Sequence, residues 1–147
     1  MPKPTPAPVT AEQLPDLARS VLKADRFPIL ATMDGDQPRA RPITATWTDG
    51  FTVYFANLKR FHKTGELAAN AKVELCFLDK GDDQVRLTGV AEPVTDRATL
   101  EEAFARDALL RQYLKGPDNP EFVLYRVRPT RVRFMREWAL DYFDVPI

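Results

Sequence analysis

The chain has 147 residues, 44% of them hydrophobic, and this length suits one domain with a core of its own. Its 21 basic and 21 acidic residues cancel, which removes the net positive charge that general binders of nucleic acids or anionic membranes use. The single cysteine excludes an intramolecular disulfide and a CxxC zinc motif, and no apolar run is as long as a membrane span, so we expect a cytoplasmic protein with no membrane or nucleic-acid partner.

The N-terminal segment carries prolines at positions 2, 4, 6 and 8. Because proline lacks a backbone donor and favours extended chain, residues 1–9 are predicted to form a disordered tail, and 10–147 a single domain. Thr10 with Gln13 three residues later has the pattern of a capping box. Apolar residues on one face follow it, which predicts a helix containing Leu14, Leu17, Val21 and Leu22.

The next segment is rich in β-branched and aromatic residues, and the turn sequences DGD and TDG divide it. This pattern predicts three strands, each paired with the next in a meander: about Pro28–Met33, Arg39–Trp47 and Phe51–Ala56. The sequence HKTGELAAN predicts a short helix. KVELCFLD and QVRLTGVAEPVT predict two further strands joined by the KGDD turn.

The last third of the chain predicts a helix and a long strand. Asp96 has the position of an N-cap for DRATLEEAFARDALLRQYL, which GPDNP ends. EFVLYRVRPTRVRFMREW alternates apolar and polar residues, which predicts a strand with a bulge near Pro129. Six or seven antiparallel strands with flanking helices predict a mainly β (α+β) fold closed as a small barrel, since closure removes exposed edges.

A basic cluster surrounds the start of the short helix and consists of Lys59, Arg60, His62 and Lys63. A helix N-terminus has free backbone N–H groups and a positive dipole end, so a lysine there is unfavourable unless an anion neutralises it. In a barrel, Arg39 and Arg41 would come to the same place. The residues alone leave two interpretations open, a phosphate pocket or a solvated surface loop.

Three stretches then occur in order: RPITATWTDGFTVYFAN, HKTGELAANAKVELCF and DDQVRLTGVAEPV. In these stretches the chain resembles the pyridoxamine 5'-phosphate oxidase-like superfamily of split-barrel FMN-binding proteins, which includes general-stress-protein and deazaflavin-dependent reductase branches. The resemblance covers roughly half of the chain, from about Arg26 to Val94. It implies a split β-barrel and an FMN-dependent oxidoreductase that acts on a small molecule or a nicotinamide nucleotide. It also implies a homodimer with a shared cofactor site.

The resemblance also implies roles for individual residues. Lys63 matches the lysine that holds the FMN phosphate, and His62 falls where an arginine often assists it. Arg41 opens the strand that runs beside the isoalloxazine, and Gln84 matches a glutamine that contacts the flavin. Aromatic residues of a partner subunit would cover the ring. The implied cofactor-binding set is Arg41, Pro42, Ile43, Thr44, Thr46, Phe55, Ala56, His62, Lys63, Gln84 and Trp138.

The chain departs from the family pattern at three places. Phe55 and Ala56 stand at a Tyr-Thr pair, which removes a hydroxyl donor, and Thr46 replaces a lysine used towards substrate. The C-terminal sequence EWALDYFDVPI stands where an RLHDR-type sequence is typical. We therefore expect an activity other than vitamin B6 oxidation.

Several alternatives stay open at this point. The chain could bind FMN without turnover, as a flavin store or sensor, or bind a deazaflavin or haem instead. Haem usually needs an axial ligand, and His62 is the only histidine. The sequence predicts no metal site, and no residue is an evident catalytic acid or base. Aromatic residues that could either wall a flavin pocket or close a core and a dimer interface are Trp47, Trp138, Tyr142 and Phe143.

Overall fold

The computed structural model describes residues 1–3 and 5–147. That part of the chain forms four helices and eight strands. In chain order they are α1 (Leu14–Ala24), β1 (Ile29–Asp34), β2 (Gln37–Pro42), β3 (Ala45–Asp49), β4 (Thr52–Leu58), α2 (His62–Ala69), β5 (Lys72–Leu78), β6 (Gln84–Pro93), α3 (Arg97–Arg106), α4 (Ala108–Leu114), β7 (Phe122–Met135) and β8 (Phe143–Val145). None of the helices in the described ranges is long and apolar enough to cross a membrane.

The strands form one antiparallel sheet in the order β2-β1-β5-β6-β7-β4-β3, with β8 paired to β7. The predicted mainly β architecture with flanking helices is confirmed. The β1–β2 and β3–β4 pairings form as predicted, but the three-strand meander is wrong, because β2 and β3 do not form one strand and lie at opposite ends of the order. Hydrogen bonds between strands distant in sequence, which no local pattern encodes, decide this order.

The strand predicted over 39–47 is in fact two strands, β2 and β3, which lie at opposite ends of the sheet order. Pro42 ends β2, consistent with its missing backbone N–H. The next backbone donors bind the chain that precedes β1: Ile43 N donates to Pro28 O and Ala45 N to Arg26 O, both at 3.0 Å. The division of the predicted strand into β2 and β3, together with the short β8, gives eight strands rather than the six or seven predicted.

Two apolar clusters hold the sheet. The larger fills the concave side with alternate residues of β5, β6 and β7, among them Leu75, Leu87 and Phe134, all 0% exposed, and α1 adds Val21. The smaller lies between α3, α4 and the other face of the sheet and includes Phe104 and Leu110. Both faces of β4 are therefore covered by protein.

Side-chain capping bonds lie in the turn before α1 and at the starts of α3 and α4. Thr10 and Gln13 exchange the two hydrogen bonds of the predicted capping box, at 3.3 and 3.2 Å. Asp96 accepts from Thr99 N at 2.9 Å, as predicted for the start of α3. The single helix predicted after it is wrong, because Asp107 ends α3 and accepts from Leu109 N to begin α4.

The N-terminal segment has contacts of its own. Val9 packs against the larger apolar cluster, and Lys3 pairs with Asp141 near the C-terminus. Pro4 lies outside the described residues. Disorder of 1–9 stays a prediction, as does the single-domain boundary at residue 10.

Candidate functional site

The first turn of α2 is held against the end of β4. Thr64 donates its hydroxyl to Leu58 O at 3.0 Å and accepts from the Asn57 side-chain amide at 2.7 Å. Phe61 precedes the helix in extended conformation, no side chain caps it, and its first turn contains no carboxylate. The positive end of this helix is therefore fixed in place without an internal anion to balance it.

Lys63 lies in this turn and is half-buried. Burial lowers the pKa of Lys63 below its ordinary value of 10.5, and the positive charge of Arg41 lowers it further, while Glu66 opposes the shift. Within the described part of the chain, no carboxylate lies within ion-pairing distance of the ammonium group. A half-buried cation under these conditions favours a bound anion, which supports the phosphate interpretation over the solvated loop.

The rest of the basic cluster is exposed. Lys59 and Arg60 face solvent, and Arg60 comes within 4.0 Å of Glu121. His62 is also exposed, but it lies at the rim of a cleft of about 560 Å³ between α2 and the β1–β2 hairpin. The cleft is lined by Met33, Asp34, Gly35, Arg39, Arg41, His62, Gly65, Glu66 and Ala69.

Arg41 lies on the wall of this cleft and is bound inside the protein. It donates to both carboxylate oxygens of Glu66 and to the hydroxyl of Thr32. Sequence reasoning identified Arg41 but missed Glu66 and Thr32, which neutralise and fix it. The available signal was that Glu66 follows Lys63 by three residues and so shares its helix face.

The crossing segment from Pro42 to Thr46 contributes less than the resemblance implies. Ile43 is 5% exposed and belongs to the core, so its side chain is not available to a ligand. Pro42 is exposed but has no backbone donor, and the N–H groups of Ile43 and Ala45 are bound to carbonyls. The half-buried side chains of Thr44 and Thr46 are the remaining candidates of this segment. Thr46 lines a second cleft, of about 470 Å³, beside Trp47.

Phe55 and Ala56 lie on opposite faces of β4. Phe55 is 0% exposed and stacks on Tyr125 with ring centroids 5.1 Å apart, so its side chain is not available to a ligand. Its alternation with Val53 and Asn57 directs it into the core. Ala56 is half-buried on the other face, where it packs against the α3–α4 cluster.

Gln84 lies apart from the start of β5 and points to a different face of the sheet from Arg41. Gln84 pairs with Leu78 at the end of β5, whereas Lys72, at the start of β5, follows α2 directly. Lys72 and Leu78 are six residues apart, which is about 20 Å along the strand. Gln84 also points to the convex face, because its neighbour Val85 is in the core. Arg41 shares the concave face with its cross-strand partner Leu30.

Two of the four aromatic candidates pack against other side chains of the fold, and two are exposed. Trp47 stacks on Tyr54 at 3.9 Å with Arg106 against its ring at 5.4 Å, so it packs within the fold. Tyr142 lies between the guanidinium groups of Arg86 and Arg133, at 5.6 and 5.4 Å, and donates its hydroxyl to the side chain of Gln84. Trp138 is 49% exposed and Phe143 40%, and both are free to contact another molecule.

The donor chemistry of this site fits a phosphate group. Lys63 supplies a cation, α2 supplies an uncapped N-terminus, and His62 and Arg41 line the adjoining cleft. A metal fits less well, since no three His, Cys, Asp or Glu side chains among the described residues are placed to hold one.

Comparison with known proteins gives a consistent picture. Residues 14–136 match the family model described as pyridoxamine 5'-phosphate oxidase. General stress protein 26 of Bacillus subtilis is 29% identical over 119 residues, which are 78% of this chain and 83% of that protein.

Solved structures also match. A pyridoxamine 5'-phosphate oxidase-related, FMN-binding protein from Nostoc punctiforme superimposes with a TM-score of 0.65 at 18% identity, over 85% of this chain and 81% of that one. A haem-binding protein from Mycobacterium smegmatis superimposes with a TM-score of 0.76 at 19% identity, over 94% of this chain and 59% of that one. At these identities the two structures show a shared fold.

Proposed function

Because the chain belongs to the pyridoxamine 5'-phosphate oxidase-like family, we propose that it is an FMN-dependent oxidoreductase acting on a small molecule. The observation that carries the proposal is Lys63, a half-buried cation at the uncapped start of α2. Lys63 would hold the flavin phosphate there, with His62 at the rim of the cleft.

When bound, the flavin would supply two-electron redox chemistry with a reduced nicotinamide nucleotide or another small molecule. The chain's own residues would bind and orient. Thr44 and Thr46, both half-buried, would offer their hydroxyl groups to the polar edge of a ring system. Ala56 offers no hydroxyl and Thr46 no charge, which supports a substrate other than a vitamin B6 phosphate.

We propose further that the protein is a homodimer whose cofactor site is shared. Gln84 points to the face of the sheet opposite to Arg41, and Trp138 is 49% exposed, which supports their contact with a flavin held by the other subunit. A second copy related by two-fold symmetry would bring both to the open side of the cleft. Exposed Trp138 would then cover the ring system.

Haem is the alternative that a specific observation favours. The fold is shared with a haem-binding protein, and His62 is exposed at the rim of the 560 Å³ cleft, where it could serve as an axial ligand. A deazaflavin would use the same phosphate site as FMN and differs in its ring.

The absorbance spectrum of the purified protein separates these possibilities. We expect an oxidised-flavin spectrum, or an apoprotein that binds added FMN more tightly than riboflavin, because Lys63 recognises the phosphate. Reduction of the bound flavin by a nicotinamide nucleotide would support the oxidoreductase. A bound flavin that no electron donor reduces and no acceptor reoxidises would indicate a store or sensor. A Soret band in the parent that is lost in His62→Ala would indicate haem instead of flavin.

A further inference from the structure

Both terminal nitrogens of Arg41 donate hydrogen bonds inside the protein. Nη2 donates to the two carboxylate oxygens of Glu66 at 3.0 and 3.3 Å. Nη1 donates to the hydroxyl of Thr32 at 2.7 Å and to Leu30 O at 3.4 Å. A guanidinium has five donors, and the two oxygens of one carboxylate share a single Nη2 hydrogen, so the second Nη2 hydrogen and the Nε hydrogen lie outside these bonds.

Glu66 is fixed as firmly as its partner. Its side chain is 8% exposed, and it also accepts from the hydroxyl of Thr32 at 3.2 Å. Thr32 is 2% exposed, and the three side chains close a ring of hydrogen bonds in which Arg41, 25% exposed, is the member that faces the cleft. A charge-assisted pair with one partner this well buried is stronger than a surface ion pair, and removing one partner would leave the other charge uncompensated.

The same carboxylate lies close to Lys63. Glu66 follows Lys63 by three residues on α2, and both Arg41 and Glu66 act on the Lys63 charge. A phosphate arriving at Lys63 therefore meets one lysine, one arginine that is already neutralised, and the carboxylate that neutralises it.

We propose that Glu66 is a specificity-determining residue that weakens the hold of this site on a phosphate monoester. By binding Arg41, it leaves the flavin phosphate to Lys63, so that the flavin exchanges readily with free flavin in solution. The identity of the ligand rests on the proposed function, whereas the effect of Glu66 on phosphate binding does not.

The test is Glu66→Gln, which keeps the size of the side chain and one acceptor for Arg41 but removes the charge. Fluorescence titrations should show FMN binding strengthened by about tenfold to a hundredfold, because Arg41 gains a charge-assisted bond to the phosphate. Riboflavin, which has no phosphate, should bind as it does to the parent. An unchanged or reduced ratio of FMN to riboflavin affinity would overturn the proposal.

Two further variants distinguish loss of the Glu66 charge from loosening of the structure as the cause of tighter FMN binding. The double variant Arg41→Met with Glu66→Gln should lose the gain in FMN affinity, since the arginine that produces it is absent. Thr32→Val breaks the hydrogen-bonded ring but keeps both charges, and should lower the melting temperature with little change in the ratio. A ratio raised equally by Thr32→Val would overturn the proposal, because loosening alone would then explain it.

Inorganic phosphate gives a readout that needs no flavin. We expect phosphate to raise the melting temperature of Glu66→Gln more than that of the parent. If this holds while neither protein binds a flavin, the proposed function fails and the role of Glu66 stands. If flavins bind but Glu66→Gln changes neither the ratio nor the phosphate effect, the role of Glu66 fails and the proposed function stands.

Discussion

The side-chain amide of Asn57 donates a hydrogen bond of 2.7 Å to the hydroxyl of Thr64, and this bond joins the end of β4 to the first turn of α2. Asn57 is 7% exposed, so it depends on Thr64 for a partner. The position of Lys63 follows from this bond, because Lys63 is the residue before Thr64. The placement of the proposed phosphate site is thus set by two uncharged side chains.

Thr64→Val keeps the shape of the side chain but removes the hydroxyl. The buried amide of Asn57 then loses its acceptor, which costs about 1–3 kcal/mol. For a chain of this size the melting temperature should fall by roughly 2–4 °C for each kcal/mol. Thr64→Ser keeps the hydroxyl and serves as the control; equal melting temperatures of the Val and Ser variants would contradict the prediction.

Lys63→Met should weaken FMN binding by about tenfold to a hundredfold, since a charge-assisted bond to phosphate contributes roughly 1.5–3 kcal/mol. The same variant without flavin should be no less stable than the parent, because it removes a half-buried cation from a helix N-terminus. Flavin titration and thermal melting measure the two effects. Lys59→Met is the matched control in the same basic cluster and should change FMN affinity little, because Lys59 is exposed. Similar small losses of affinity at both positions would favour the interpretation of the cluster as a solvated loop.

The lowered pKa of Lys63 predicts opposite pH dependences for stability and binding. Between the lowered pKa and 10.5 the unfolded chain binds a proton that the native chain has lost, so the free energy of unfolding rises with pH through this window. FMN affinity should fall through the same window, since the phosphate needs the charged ammonium. Lys63→Met should remove both slopes relative to the parent, and identical pH profiles of the two proteins would exclude Lys63 as their source.

If the cofactor site is shared between subunits, two variants that each bind FMN poorly should restore FMN binding when they are combined in one dimer. Lys63→Met removes the phosphate contact and Trp138→Ala the proposed cover, so each homodimer alone should bind FMN poorly. When the two are unfolded together and refolded, half of the dimers combine one chain of each kind, and about a quarter of all sites are intact. Recovery of tight binding at that level, with a dimeric mass by light scattering, is the expected result; a monomeric mass with flavin bound would refute the shared site.

Gly89 allows close contact between β6 and β7. A Cβ added there would lie 2.5 Å from Arg128 O and 2.9 Å from a methyl group of Val127. Because the first atom is backbone, Gly89→Ala should destabilise the fold by about 1–3 kcal/mol. Gly65→Ala is the contrasting change: no atom lies within 4 Å of the added Cβ, and it should stabilise α2 by up to about 1 kcal/mol. Chemical denaturation would measure both, and equal effects would be inconsistent with the contact.

Local patterns predicted most of the elements because their signals are local. The capping box at Thr10, the cap at Asp96 and the alternation of β5 each depend on residues a few positions apart. The break of α3 at Asp107 was missed, although an aspartate inside a predicted helix is a recognisable start signal. The pairing of β1 with β5 depends on partners more distant in sequence, which no window of residues contains.

The candidate site was predictable to the same extent. A resemblance in sequence identified Lys63, which the structure leaves half-buried and without a carboxylate partner among the described residues. It could not indicate that Phe55 belongs to the core or that Arg41 is bound by Glu66, because both depend on which face of a strand meets which helix.

The position of β7 between β6 and β4 has a consequence for synthesis of the chain. The hairpins β1–β2, β3–β4 and β5–β6 can form from neighbouring residues, but the two halves of the sheet join only when Phe122–Met135 pairs with both β6 and β4. A chain still on the ribosome that ends before Phe122 would expose one additional open edge on each half, β6 on one and β4 on the other. Open edges pair readily with other chains, so a premature stop after β6 should yield an aggregating product rather than a smaller folded domain.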